Sequence, residues 1–190
     1  MAVEIVAPTV VNGVNVDQLI GTVNAIKQDP NLARFTFRAS TEWTGGGHSR
    51  TKIQSFYGVG TEDTSRARPF VLEGDEPPVL LGQNAGPNAV EAVLHALASC
   101  LAVGFVYNAA AQGIHIEQLS FDLEGDLDLQ AFLGLSEAVR PGYEGIRLTY
   151  RVKADAPRAK LEDLCNYVQR TSPVLDIIRN PVPVFISLAN

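Results

Sequence analysis

Residues 86–105 read GPNAVEAVLHALASCLAVGF. Asn88 followed three residues later by Glu91 forms a capping-box pattern, with Asn in place of Ser or Thr, and Pro87 suits a helix entry. Beyond Glu91 the run is mostly Ala, Val and Leu, with no polar stripe. A helix of that kind is buried on all sides, in protein or in lipid. Val90–Ala111 approaches the roughly 20 residues a membrane span needs. However, Glu91, His95 and Asn108 interrupt it, and no Lys or Arg flanks it closely. The sequence therefore predicts a helix buried in protein. In a chain of 190 residues such a helix needs a second subunit to cover it, so a dimer is expected. Cys100 sits at its centre, either as core packing or as a nucleophile.

The rest of the chain bounds the answer. Its length fits one domain with a real core. Apolar content of 46% and charged content of 19% are those of a globular protein. A formal charge of −6 disfavours a nucleic-acid partner, which calls for a Lys/Arg-rich face. The first 18 residues, MAVEIVAPTVVNGVNVDQ, lack a basic segment leading into an apolar core, so no signal peptide is expected. Two cysteines do not make a secreted disulfide framework, and a cytoplasmic setting is the expectation. No membrane partner is expected.

Outward from the central run, hydrophobic periodicity lays out the elements. Val16, Leu19, Ile20, Val23 and Ile26 recur at helical spacing, and Asp29-Pro30 ends that helix. RFTFRASTEW (34–43) alternates as a strand, TGGGHS (44–49) is a turn, and RTKIQSFYGVG (50–60) is the return strand. TEDTSRARP (61–69) reads as a polar loop, and FVLEGDEPPVLLGQNAGP (70–87) as a short strand and a Pro/Gly-rich approach to the long helix. Ile114 and Ile116, then Leu119, Phe121 and Leu123, alternate with one change of phase. GIRLTYRVKAD (145–155) alternates as well, with a loop before it. Leu161, Leu164 and Val168 mark an amphipathic helix. A shorter helix runs from Ser172-Pro173 to Asn180-Pro181, and VPVFISL (182–188) reads as a final strand. Grouped strands with separate helices predict an α+β fold.

Chemistry narrows to the thiols. His48, His95 and His115 have no metal-ligand spacing, no Cys-x-x-Cys is present, and no cofactor or metal is expected. The glycines of TGGGHS lack a phosphate-loop ending and read as a hairpin turn. No serine stands in a nucleophile-elbow pattern. Cys100 and Cys165 remain. Free cysteine often packs as a small hydrophobe, so the residues alone leave packing and catalysis both open.

The segment LEGDEPPVLLGQNAGPNAVEAVLHALASCL (72–101) resembles the centre of the OsmC family, the osmotically inducible protein C and organic hydroperoxide reductase proteins. The shared features are an acidic-Pro run, Leu-Gly, Gly-Pro, a Glu, and an Ala/Leu-rich helix ending in Ala-Ser-Cys. GLSEAVRPGYEGIRLTYRV (134–152) and TSPVLDIIRNPVPVFISL (171–188) resemble later parts. The resemblance covers roughly residues 35–188. It implies a single domain over 1–190, with 1–33 as an N-terminal helical extension and 34–190 as the core. It also implies an intertwined homodimer with one long central helix per chain packed against antiparallel-rich sheets.

The implied activity is thiol-dependent reduction of organic hydroperoxides in oxidative stress, with an external dithiol as reductant. The alternative is a non-catalytic dimer binding an apolar small molecule. Cys100 matches the family's peroxidatic position and Glu91 its acidic position. Nine residues at about 100° each put those two on opposite faces of a straight helix. Glu91 therefore serves as a helix cap, serves a partner's site, or requires a kink. Arg50, with His48 two residues before it, falls where the family carries its hairpin arginine. The family's second cysteine opens a Cys-Pro-Val; here the tripeptide is Ser172-Pro173-Val174. Cys165, the other candidate, lies seven residues earlier, about 10.5 Å of helical rise away. A disulfide needs Cα atoms within about 7 Å.

Overall fold

The computed structural model describes residues 9–189. They gather into two compact units, one of residues 17–93 and one of residues 9–16 with 94–189. Residues 1–8, on which part of the signal-peptide expectation falls, lie outside the described residues.

The described chain opens on a hairpin of β1 (Val10–Val11) and β2 (Val14–Asn15). Asn12 and Gly13 turn it with φ of 53° and 77°, the geometry of a two-residue primed turn. The Asn12 side chain then joins the hairpin to a distant segment. Its Nδ2 donates to the Ile114 carbonyl and its Oδ1 accepts from the Ile116 amide, both at 2.9 Å. Val11 and Val16 are buried against Ala110. The start of the expected N-terminal extension is thus built into the core of the second unit.

Helix α1 (Val16–Gln28) ends before a single 3-10 turn, Pro30–Ala33, capped by the Asp29 carboxylate. The Asp-Pro stop is where the sequence placed it. The expected first hairpin is more broken than the alternation suggests. RFTFRASTEW divides into β3 (Thr36–Phe37) and β4 (Ser40–Gly45), and the return strand into β5 (His48–Ile53) and β6 (Phe56–Gly58). The expected polar loop starts with β7 (Thr61–Asp63), and β8 (Phe70–Gly74) follows it. Two antiparallel three-stranded sheets result, in the orders β3-β6-β7 and β4-β5-β8. Continuous alternation cannot show where a strand leaves one sheet and joins another. The glycine turn is confirmed, with Gly45 and Gly46 at φ of 136° and 57°.

The approach to the long helix is a loop tied around one carboxylate. Asp75 is 4% exposed. It accepts backbone N–H bonds from Glu76 at 2.8 Å, Gln83 at 2.9 Å and Ala85 at 3.0 Å. Gly82 and Gly86 make this possible. A Cβ at either would stand 1.8 Å from the Glu76 carbonyl oxygen or 2.3 Å from that of Glu73. The acidic-Pro, Leu-Gly and Gly-Pro elements of the sequence are therefore parts of one folded-back loop.

Helix α2 (Ala89–Ala111) begins with the expected capping box. The Asn88 amide donates to Glu91 Oε2 and the Glu91 amide to Asn88 Oδ1, each at 2.9 Å. One row of the helix, Leu97, Leu101, Phe105 and Ala109, is buried in the main core of its unit. The opposite side is open: Val103 and Tyr107 are exposed. Burial on all sides is not reached within one chain. By length and composition alone, α2 is long and apolar enough to cross a membrane.

The buried row of α2 packs on β9 (Ile116–Asp126) and β10 (Gly145–Ala154), an antiparallel pair. The change of phase in the sequence is a bulge. Lys153 faces Gln118 while Ala154 faces Ile116, so Glu117 has no counterpart. The outer face carries cross-strand ion pairs, Arg147 with Glu124 and Asp126, Arg151 with Asp122, and Lys153 with Glu117. Helix α3 (Arg158–Thr171) buries Leu164 and Val168 in the same core, and α4 (Pro173–Arg179) buries Leu175. The mixture of helices with antiparallel sheets is the α+β class expected.

The final strand is not formed. Residues 181–189 carry no secondary structure, and Phe185, Ile186 and Leu188 are more than 90% exposed. A strand needs a neighbour to bond with, and no strand among the described residues pairs with this segment.

Candidate thiol site

Cys100 lies half-buried on α2, beside the buried row of Leu97 and Leu101. Its sulfur meets one polar side chain. Ser172 Oγ donates to Cys100 Sγ at 3.1 Å. Ser172 joins α3 to α4, with an extended backbone at φ −75° and ψ 115°. The following Pro173 disfavours helical geometry there. The same oxygen accepts the Leu175 amide at 3.2 Å, which caps α4. Ser172 is only 5% exposed. Its hydroxyl is fixed by the cap, so its single proton is directed at the sulfur.

Cys165 stands elsewhere on α3. It lines an open groove of about 630 Å³ with Tyr150, Val152 and Leu161. Burial pushes its thiol up, the charge of Glu162 adds to this, and a backbone hydrogen bond opposes it. Burial also pushes the Tyr150 phenol up to about 12, and its hydroxyl has no hydrogen-bond partner among the described residues. Helix register separates the two thiols. A Cβ at Gly104 would lie 3.0 Å from Val168, and Cys100 meets Ser172. Four residues back along α2 thus match four residues forward along α3. Cys165, on the other side of Val168, is displaced by about two turns from the level of Cys100. The structure brings Ser172, not Cys165, to Cys100.

Arg50 and Glu91 stand in the unit of residues 17–93. Arg50 Nε donates to Glu73 Oε1 at 2.8 Å, and His48 Nε2 lies 2.9 Å from Glu73 Oε2. His48 and Arg50 share one side of β5, as their spacing predicts, and Glu73 is the residue of β8 directly opposite Arg50. The Arg50 hydrogen bond, helped by that from His48, holds the Glu73 carboxyl below its ordinary value. The Glu91 carboxylate is engaged in the helix cap. On the unbroken α2, Glu91 and Cys100 keep opposite faces. No group of His, Cys, Asp or Glu among the described residues could hold a metal.

Glu73 and Asp75 are the charged residues that sequence reasoning missed. Glu73 was findable, since it sits in the strand that returns beside Arg50. Nothing local marks Asp75 as the carboxylate of GDEPP that gathers the loop's backbone N–H groups.

The fold is shared with solved proteins of low identity. An OsmC-like protein from Mycoplasma pneumoniae aligns at 13% identity and a TM-score of 0.56, over 77% of this chain and 89% of its own. An OsmC-like protein of unknown function from Vibrio cholerae aligns at 14% and 0.54, over 74% and 92%. An organic hydroperoxide resistance protein, OsmC, from Legionella pneumophila aligns at 20% and 0.52, over 76% and 89%. No curated protein matches the chain. The family profile described as OsmC-like protein matches residues 82–187, from the loop tied by Asp75 through α2 and Cys100 to the exposed C-terminal segment. The chain belongs to the OsmC-like protein family.

Proposed function

We propose that this protein reduces organic hydroperoxides through Cys100. The observation that carries the reading is the Ser172 hydroxyl aimed at the Cys100 sulfur from a buried, doubly held position. A thiolate accepts such a hydrogen bond more strongly than a thiol does. In the reaction the Cys100 thiolate attacks the terminal peroxide oxygen and the O–O bond breaks. The alcohol leaves with the electron pair and takes a proton, and the sulfur is left as sulfenic acid. Val103, three residues beyond Cys100 on α2 and exposed, offers apolar surface near the thiol, which favours an organic peroxide over hydrogen peroxide. The Legionella protein of similar fold is named for organic hydroperoxide resistance, which supports a peroxide-related role.

Arg50, held by Glu73, is proposed as the cation that orients the peroxide, on the family resemblance. Homodimerisation is part of the proposal. It is supported by the open side of α2 and by the apolar segment 182–188, which has no strand neighbour among the described residues. Two free cysteines suit a reducing, cytoplasmic setting. The second reading, a non-catalytic dimer binding an apolar small molecule, draws on the same open apolar surface.

Steady-state consumption of cumene hydroperoxide with a thiol reductant separates the two. Catalysis predicts turnover by the wild type, slower turnover of hydrogen peroxide, and none above background for Cys100→Ser. Equal background rates for wild type and variant would leave the binding reading in place.

A further inference from the structure

Resting on the peroxidatic role of Cys100, we propose that its oxidised form is resolved by a small thiol from solution and not by a second thiol of the chain. The place of a resolving sulfur is filled by the Ser172 hydroxyl. Ser172 Oγ lies 3.1 Å from Cys100 Sγ and is 5% exposed. Only a modest approach separates that geometry from the roughly 2.05 Å of a disulfide, but oxygen cannot form one.

Cys165 cannot take over without movement. It lies seven residues before Ser172, about 10 Å along the axis of α3. Gly104 against Val168 and Cys100 against Ser172 show that α3 recedes from Cys100 in that direction. Its side chain instead borders the groove of Tyr150 and Leu161. Its thiol, pushed up by burial, is a poor source of attacking thiolate near neutrality. Unwinding two turns of α3 would also pull Leu164 and Val168 from the core.

The cycle then balances with two external thiols. The peroxide takes two electrons from Cys100, giving sulfenic acid and alcohol. One small thiol attacks the sulfenic sulfur, releasing water and leaving a mixed disulfide on Cys100. A second attacks that disulfide, frees the Cys100 thiol and departs as the oxidised small disulfide. The sum is one hydroperoxide and two thiols giving one alcohol, one disulfide and one water.

The test uses the full chain, one equivalent of cumene hydroperoxide, and peptide mass spectrometry. The wild type is expected to form a dimedone adduct on Cys100, or with glutathione present a mixed disulfide on Cys100, while Cys165 remains a free thiol. Ser172→Cys is expected to close a disulfide from Cys100 to the introduced thiol, lowering glutathione capture at least tenfold. Diamide should close the same bond, and this arm does not depend on peroxide reactivity. A Cys100–Cys165 cross-link in the wild type, within or between chains, would overturn the inference and leave the peroxidatic reading standing. Failure of folded Ser172→Cys to close with diamide would overturn the geometry on which it rests. No peroxide oxidation of Cys100, with the diamide bond formed, would remove the peroxidatic reading and this inference with it.

Discussion

A hydroxyl and a thiol of similar size differ in one respect that matters at position 172, since only the thiol can store an oxidising equivalent. Ser172 keeps the structural half of the role, capping α4 and touching Cys100. Ser172→Ala is therefore expected to act twice. Loss of the cap costs about 1 kcal/mol in urea unfolding, and loss of the donor slows alkylation of Cys100 by iodoacetamide at neutral pH. An alkylation rate equal to wild type would confine Ser172 to the cap. Asp75 gives a pH-dependent prediction. Its carboxyl is held below the ordinary range, first by the backbone N–H of Ala85 and then by those of Glu76 and Gln83. A depressed native pKa means stability that is complete above the unfolded carboxylate value and is lost as pH falls through the native one. Wild-type stability should thus fall in acid more steeply than that of Asp75→Asn, while the variant is the less stable of the two at pH 7. Parallel acid profiles in thermal unfolding would contradict this. His48 and Arg50 were legible as neighbours because alternate strand residues share a face, whereas their anchor Glu73 required the strand register.

At the scale of elements, α2 makes its core with one row and leaves the other side open. Leu101, at 2% exposed, fills the first. Leu101→Ala is expected to cost about 2–5 kcal/mol in denaturant unfolding. Gly104 governs the approach of α3, and Gly104→Val should force the helices apart at a cost of about 1–3 kcal/mol. That variant should also weaken diamide closure in a Ser172→Cys background if helix spacing sets the thiol site. The capping box, the Asp-Pro stop, the glycine turn and the phase change in β9 were all readable, because each is a local backbone demand met by local residue types. The division of the first hairpin among two sheets was not readable. Alternation reports which side of a strand is apolar and says nothing of which strand lies beside it. The strand expected at 182–188 failed for the same reason: its pattern alternates, but no strand among the described residues pairs with it.

At the scale of the whole molecule, the apolar surfaces left open within one chain carry the expectation of a homodimer. Sedimentation at micromolar concentration should give the dimer mass, and a monomer there would contradict the assembly. The family was legible from one segment, residues 72–101, because its loop geometry needs glycines and a carboxylate at fixed places as well as the helix thiol. Reactivity was less legible, since a cysteine in an apolar helix has the same letters whether it packs or reacts. The most direct measurement is single-turnover stopped-flow oxidation of the reduced protein by one equivalent of cumene hydroperoxide. Rapid loss of one thiol is expected, assigned to Cys100 and absent in Cys100→Ser. Oxidation no faster than that of a free small thiol, or unchanged in Cys100→Ser, would contradict a peroxidatic Cys100.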